Sequence, residues 1–430
     1  ALLNTARRTP PVANRWSLTG QLGQPQLADL CHPSRRPPHA QQRWCALQPA
    51  KTAQNPHPPS PTPRWTGGLR LVIAVAEGAM TILLVSDDDR SALACQLLQQ
   101  QLERCGQTSL TIGQGLSSHR DSPLPSVTPQ IPLTLMDLLG HELLESASAV
   151  GLFIHHSDQL ERFTNAHRDL ARQRGVRPAV VFSGPFQASL GDRLVRELCD
   201  RQCCDLLVVP GDRQRRELEA ITQFWPESVA SPSIEAIGHW FSPERPPLGA
   251  LNGGTPQPPH TLLALVQEAI PTQIGAKAQL LRQLIRWAET SPEWSVVIQR
   301  DHAWEKGQPW ISKFKSSDWT FPDNMVFGAP GQLLTQLASC SACLSVSSPW
   351  SLTAMAWGRP TLLIGDYGIH SDQGTTTFFG SGLMHRLQSI DHLDQLLDLP
   401  PVNTSWLQSM GWGVHDGAAR LIRRLEELLR

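Results

Sequence analysis

Apolar residues in this chain gather into short continuous runs, and amphipathic stretches separate them. The first strong run is TILLVS at 81–86. It ends in Asp87-Asp88-Asp89, after which Leu93, Leu97, Leu98 and Leu102 share one face of a predicted helix. Further runs predict strands at 109–112, 149–154, 179–182, 205–209 and 233–237, and amphipathic segments predict helices at 159–174, 191–201 and 212–224. Strands that are apolar throughout, rather than at every second position, are buried on both faces. That is the pattern of a parallel sheet sandwiched by helices.

The stretch PERPPLGALNGGTPQPPH at 243–260 interrupts the alternation, and its Pro and Gly content predicts a linker. Strands are then predicted at 261–269, 294–299, 324–328, 343–347 and 361–365. Helices are predicted at 276–289, 332–338, 390–398 and 416–429, with another opening at Pro349. The expected architecture is α/β: two Rossmann-like, doubly wound domains at 80–242 and 261–430, facing each other across a cleft. Residues 1–79 differ. They are rich in proline and carry Arg7, Arg8, Arg15, Arg35, Arg36, Arg43, Lys51 and Arg64 against the single acid Asp29 before residue 70, with no sustained apolar period. Such composition predicts a disordered extension. It is either a true tail or sequence lying upstream of a natural start at Met80.

Composition narrows the function. Net charge is −1 over 430 residues, so the chain lacks the basic field of a general nucleic-acid binder. No apolar run reaches 18 residues, which predicts a soluble, cytoplasmic protein, with peripheral membrane association left open. The nine cysteines have no regular spacing and read as reduced thiols; Cys340-Ser-Ala-Cys343 opens an apolar strand and reads as buried and structural.

Candidate chemistry collects where strands end. In 344–368 (LSVSSPWSLTAMAWGRPTLLIGDYG) a strand breaks at Ser347-Ser348-Pro349 and a helix follows. Ser348 suits an N-cap and Pro349 the first helical position. A helix starting at the C-terminal end of a parallel strand offers NH donors to an anion. Arg300-Asp301-His302 and Gly365-Asp366-Tyr367-Gly368 follow other strands of the same half, and Gly374 to Thr377 and Ser381-Gly382 add hydroxyls and glycines. Together they suit a nucleotide mono- or diphosphate. Neither a Walker pattern nor a GxGxxG after a strand is present.

The order SS, AxxxGxP, apolar strand, GDxG, FxGSGL resembles the C-terminal half of bacterial GT-B glycosyltransferases, and the first strand running into an acidic turn resembles their N-terminal half. The likeness spans Met80 to the C-terminus, nearest to a little-characterised group akin to bacterial sialyltransferase and polysaccharide-transferase types. It departs from the sialyltransferases in lacking their His-Pro pair, for which Arg300-Asp301-His302 is the nearest counterpart.

The resemblance implies a glycosyltransferase, inverting and metal-independent, acting in cell-surface glycan synthesis. Its second domain would hold a nucleotide-sugar donor and its first a glycan or lipid-linked acceptor, with no other cofactor. Donor contacts would come from Arg300, His302, Ser347, Ser348, Gly365, Asp366, Ser381 and Gly382. An acceptor hydroxyl needs a base, and Asp88 or Asp89, then His155-His156 with His156 foremost, are the candidates. Each has a plainer reading: carboxylates offsetting a helix dipole, histidines merely hydrogen-bonded at a strand end, Arg300 paired with an acid, serines capping. The alternative activities are a sugar-nucleotide epimerase on the same fold and a non-catalytic nucleotide-sugar-binding protein.

Overall fold

The computed structural model describes residues 80–113, 122–226, 229–247, 260–268, 270–300, 319–371 and 373–430. The N-terminal extension, His302 and most of the linker lie outside them. The first half forms a six-stranded, all-parallel sheet: β1 (Thr81–Ser86), β2 (Thr108–Gly113), β3 (Ala149–Phe153), β4 (Val180–Ser183), β5 (Leu206–Val209) and β6 (Ser233–Ala236), in the order β2-β1-β3-β4-β5-β6. The second half repeats the plan with β7 (His260–Val266), β8 (Trp294–Arg300), β9 (Met325–Phe327), β10 (Ala342–Ser345), β11 (Thr361–Ile364) and β12 (Met384–His385), in the order β12-β11-β10-β7-β8-β9.

The continuous apolar runs have a direct structural cause. On β1, Ile82 and Leu84 enter one core with Phe182 and Trp240, while Leu83 and Val85 enter another with Leu152 and Phe163. On β7, Leu262 and Ala264 face the core holding Trp287 and Trp294, and Leu263 and Leu265 face the one holding Leu333 and Trp350. Each strand therefore needs apolar residues at successive positions, because helices cover both faces of its sheet.

Strand order also fixes where ligands can sit. In each sheet the chain moves outward from the first strand on one side and then resumes on its other side. The reversal falls between β1 and β3 in the first sheet and between β7 and β10 in the second. At such a point the connections leave in opposite directions and open a crevice beyond the strands' C-terminal ends. The two crevices meet. Arg90, just past β1, donates to the Phe186 carbonyl past β4 and lies 5.9 Å from the ring of Trp350 past β10. Ala188 and Leu190 pack with Leu352 and Phe378.

Two of the predicted helices differ from the sequence expectation. In place of a helix at 390–398, the chain makes 3-10 turns at Leu387–Ser389 and Leu393–Leu396. Leu387, Ile390, Leu393 and Leu396 are all buried and recur every third residue, the period of a 3-10 turn, and the Trp287 and Trp294 indoles bind Ile390 O and Asp394 Oδ1 at 2.9 and 2.8 Å. The final helix Gly417–Leu429, expected within the second half, buries Ala418, Leu421, Ile422 and Leu425 in a core of the first sheet. Its apolar stripe packs beside the helix Asp89–Arg104, which covers β1, and extends that cover over β4 and β6.

Candidate functional site

At the first sheet's reversal, β1 runs straight into the three aspartates, and each does something different. Asp88 is buried and caps the helix Asp89–Arg104: its Oδ1 accepts from Ser91 N at 2.7 Å and from Ser91 Oγ at 2.6 Å, while Ser91 Oγ accepts from Asp88 N at 2.9 Å. This reciprocal capping box is the plainer of the two roles foreseen for it. Asp89 is 3% exposed, and among the described residues neither of its carboxylate oxygens has a hydrogen-bond partner. Asp87 turns to the neighbouring strand, where its Oδ2 accepts from His155 N at 2.7 Å and its Oδ1 lies 3.1 Å from His155 Nδ1.

His155 follows β3, the strand paired to β1, so the reversal itself brings the pair together. Its ring stacks on Phe186 at 5.0 Å and 20°, and its side chain keeps about a third of its surface, 32%, in solvent. His156, the histidine favoured by sequence, instead sits at the N-cap of the helix Ser157–Arg174, where its carbonyl accepts from Gln159 N and Leu160 N. The strand's end turns His155 toward the acidic loop while His156 begins the next helix. A carboxylate engaging Nδ1 fixes the imidazole tautomer and makes Nε2 its basic atom. A cavity of about 500 Å³ adjoins Asp87, walled by Val85, Leu133, Leu135, Met136 and Ile154, with Gln159 and Arg162 on its rim.

At the second sheet's reversal, Ser347 N and Oγ both reach Gln267 Oε1, at 3.2 and 3.1 Å, and Ser347 Oγ also donates to the Gln373 carbonyl. Gln267 lies one residue beyond β7, so this contact bridges the two strands that flank the reversal. Gly374 adopts φ +70, and a Cβ there would stand 2.8 Å from Arg193 Nη1 and 3.5 Å from Ser347 Oγ. Glycine thus lets an arginine of the first half approach the serine loop of the second. The niche between them has a volume of about 10 Å³ and is lined by Gln187, Ser189, Arg193, Ser347, Gly374 and Thr377 among others. Ser189 Oγ is buried there with no hydrogen-bond partner among the described residues.

The remaining sequence candidates do structural work or lie elsewhere. Ser348 is wholly buried and its Oγ accepts from Trp350 N at 3.3 Å; the helix runs Trp350–Ala356, with Pro349 at its cap. Gly365 N donates to His385 O at 2.8 Å, and Asp366 Oδ2 accepts from Leu387 N at 2.7 Å, so the GDYG turn is tied to β12 and the segment after it. Ser381 is buried with its Oγ accepting from Leu383 N at 3.2 Å, and Gly382 is exposed at φ +82. None of these five residues lines either cavity. Arg300 is half-buried at the end of β8, in register with Val266 of β7. Burial pushes the Cys340 thiol up to about 12 and the Cys343 thiol well above its usual range, as expected for inert structural cysteines.

Gln267, Ser189 and Arg193 went unrecognised in the sequence. Gln267 carries one signal, its place directly after the first strand of the second half. Ser189 and Arg193 carry none, because only the meeting of the two halves gives them neighbours.

Two doubly wound domains with apposed C-terminal strand edges define the GT-B class of fold. Solved structures share it. S. aureus MnaA in a co-structure with UDP has a TM-score of 0.54 at 11% identity, covering 81% of this chain and 97% of the other. A putative UDP-N-acetylglucosamine 2-epimerase from Listeria monocytogenes scores 0.54 at 10% identity, covering 81% and 96%. The UDP-GlcNAc 2-epimerase from Neisseria meningitidis bound to UDP-GlcNAc scores 0.53 at 12% identity, covering 81% and 100%. At these identities the likeness is one of fold. No curated protein matches the chain in sequence. The chain belongs to the family described as "Putative glycosyltransferase (DUF6716)", whose model matches residues 146–428. Among the described residues no helix is long and apolar enough to cross a membrane.

Proposed function

We propose that the protein is a glycosyltransferase that moves a sugar from a nucleotide-sugar donor to an acceptor hydroxyl by single displacement. The observation that carries this reading is the Asp87–His155 pair at the first sheet's reversal, 3.1 Å apart through Nδ1. In the step, the acceptor O–H gives its proton to His155 Nε2 as its oxygen bonds to the anomeric carbon. The bond from that carbon to the donor phosphate breaks, and the electron pair leaves with the phosphate. Arg193, Ser347 and the backbone around Gly374 are the groups suited to the charge on the leaving phosphate. Ser347 is preferred over Ser348 because it lines the niche. Arg300 stands by at the edge of the same sheet.

Nucleotide release from individual nucleotide sugars, followed with and without acceptor, tests the reading. Release that needs an acceptor and disappears in His155→Ala supports transfer. Interconversion of the sugar without acceptor supports epimerisation instead, and binding without turnover supports a binding protein.

A further inference from the structure

The cavity beside Asp87 differs in chemistry from a carbohydrate subsite. Its walls are Val85, Leu133, Leu135, Met136 and Ile154. Of the polar side chains within it, several already have partners. Ser86 Oγ donates to Ile112 O at 3.3 Å. Thr134 Oγ1 donates to Asp137 Oδ2 at 2.7 Å and accepts from Asp137 N at 3.0 Å, capping a short turn of helix. Asp87 is engaged by His155 and by Ser91 Oγ. A polyhydroxylated ring placed here would leave hydroxyls unsatisfied against aliphatic walls, and each such group costs about 1–3 kcal/mol. An apolar body meets no such penalty. The volume of about 500 Å³ lies within the roughly 300–1,000 Å³ of small-molecule sites.

The cavity's lining carries both signs of charge. Asp87, with His155 bound to it, is the acid of the lining. Arg162 stands at the rim, one helical turn beyond Gln159, with its side chain 77% exposed and, among the described residues, paired only with Asp158, at 3.9 Å. A surface pair of that length contributes little, so the guanidinium can serve an incoming anion. Met136 is 59% exposed at the same opening, leaving apolar surface for an occupant to cover.

We propose that this cavity is the acceptor site, and that the acceptor is a small amphipathic molecule: a hydroxyl at one end toward Asp87 and His155, an apolar or aromatic body, and a carboxylate or other anion at the other end on Arg162. The assignment rests on the transferase reading above and adds the acceptor class to it.

Calorimetric titration of the full chain tests it with three probes: 3-(4-hydroxyphenyl)propanoate, its uncharged amide, and methyl β-D-glucoside. The acid binds best, with the amide about fivefold weaker, the scale of a rim ion pair. Arg162→Gln removes that preference without weakening the amide. Met136→Ser, at an exposed position, weakens acid and amide alike by about tenfold, and Leu135→Ala acts in the same direction should Met136 prove peripheral. Tighter binding of the glucoside than of the acid overturns the proposal, as does acid binding unchanged in both wall variants. UDP titrated into the same preparations reports on the other crevice. Loss of UDP binding or of nucleotide release, with acid binding intact, counts against the donor reading alone, whereas intact UDP binding with no acid binding overturns only the acceptor class.

Discussion

Asp87 holds His155 at two points, accepting from its backbone N at 2.7 Å through Oδ2 and facing its ring Nδ1 at 3.1 Å through Oδ1. The two residues lie just past the ends of neighbouring parallel strands, and the reversal of strand order places those ends side by side. The backbone bond fixes where the residue begins and the ring bond fixes how it points. This gives a base with defined orientation, held two residues past the end of a buried strand.

His155→Ala should therefore lower kcat for transfer by about 10²–10⁴-fold, the usual contribution of a positioned base. Asp87→Asn should lower kcat as well, while leaving KM for the donor unchanged, because it disturbs the tautomer and not the donor crevice. Steady-state kinetics on folded variants check both. Equal kcat in His155→Ala and the parent removes His155 from the mechanism.

The adjacent serines should separate cleanly. Ser348→Ala removes the oxygen that accepts from Trp350 N and should cost about 1 kcal/mol of stability with nucleotide affinity unchanged. Ser347→Ala removes a niche hydroxyl and should weaken nucleotide binding. Urea unfolding and calorimetry on each variant measure the two effects, and a nucleotide defect confined to Ser348→Ala reverses the assignment.

Gly374 should prove to act through Arg193. An alanine there meets both the unfavourable φ of +70 and a contact of 2.8 Å with Arg193 Nη1. The backbone strain is about 1 kcal/mol, but the arginine must also move. Gly374→Ala and Arg193→Ala should each weaken nucleotide binding, and the double variant should be no weaker than the worse single, since the two changes remove one interaction. Full additivity of the two losses would show that they are independent.

The fold was largely legible because continuous apolar runs report burial on two faces, and eleven of the twelve strands among the described residues coincide with runs read from the sequence. The short β12, only Met384–His385, lacks any apolar run and is held by pairing to β11, so no local signal could announce it. The site was legible only in part. The position of Ser347 after β10 and of the aspartates after β1 follows from strand ends alone. Which of Asp87, Asp88 and Asp89 faces the crevice depends on whether each carboxylate meets the helix, the core or the next strand. Asp87 and His155 are 68 residues apart, and Arg193 and Gly374 belong to different halves; such meetings are properties of topology, not of local pattern.

His239 should make the union of the halves sensitive to acid. It is buried just past β6, and its Nε2 lies 3.0 Å from the Met410 carbonyl, which can only accept, so Nε2 carries the proton of a neutral ring. The ring also packs on Phe241 at 4.9 Å and Trp412 at 5.5 Å. Burial pushes the imidazole down to about 4 from its ordinary 6.5, outweighing the opposing hydrogen bond to Met410. Above 6.5 neither the folded nor the unfolded state protonates the residue. Between 6.5 and 4 the unfolded chain takes up a proton that the folded one refuses, so stability falls as pH falls through that window. The loss approaches about 3 kcal/mol at its lower end. His239→Gln keeps an amide donor for Met410 O and removes the titration. Urea unfolding from pH 7 to 4 should show a shallower decline in His239→Gln than in the parent, the difference between the curves isolating this residue from the carboxylates. Parallel curves would mean that His239 does not titrate on unfolding.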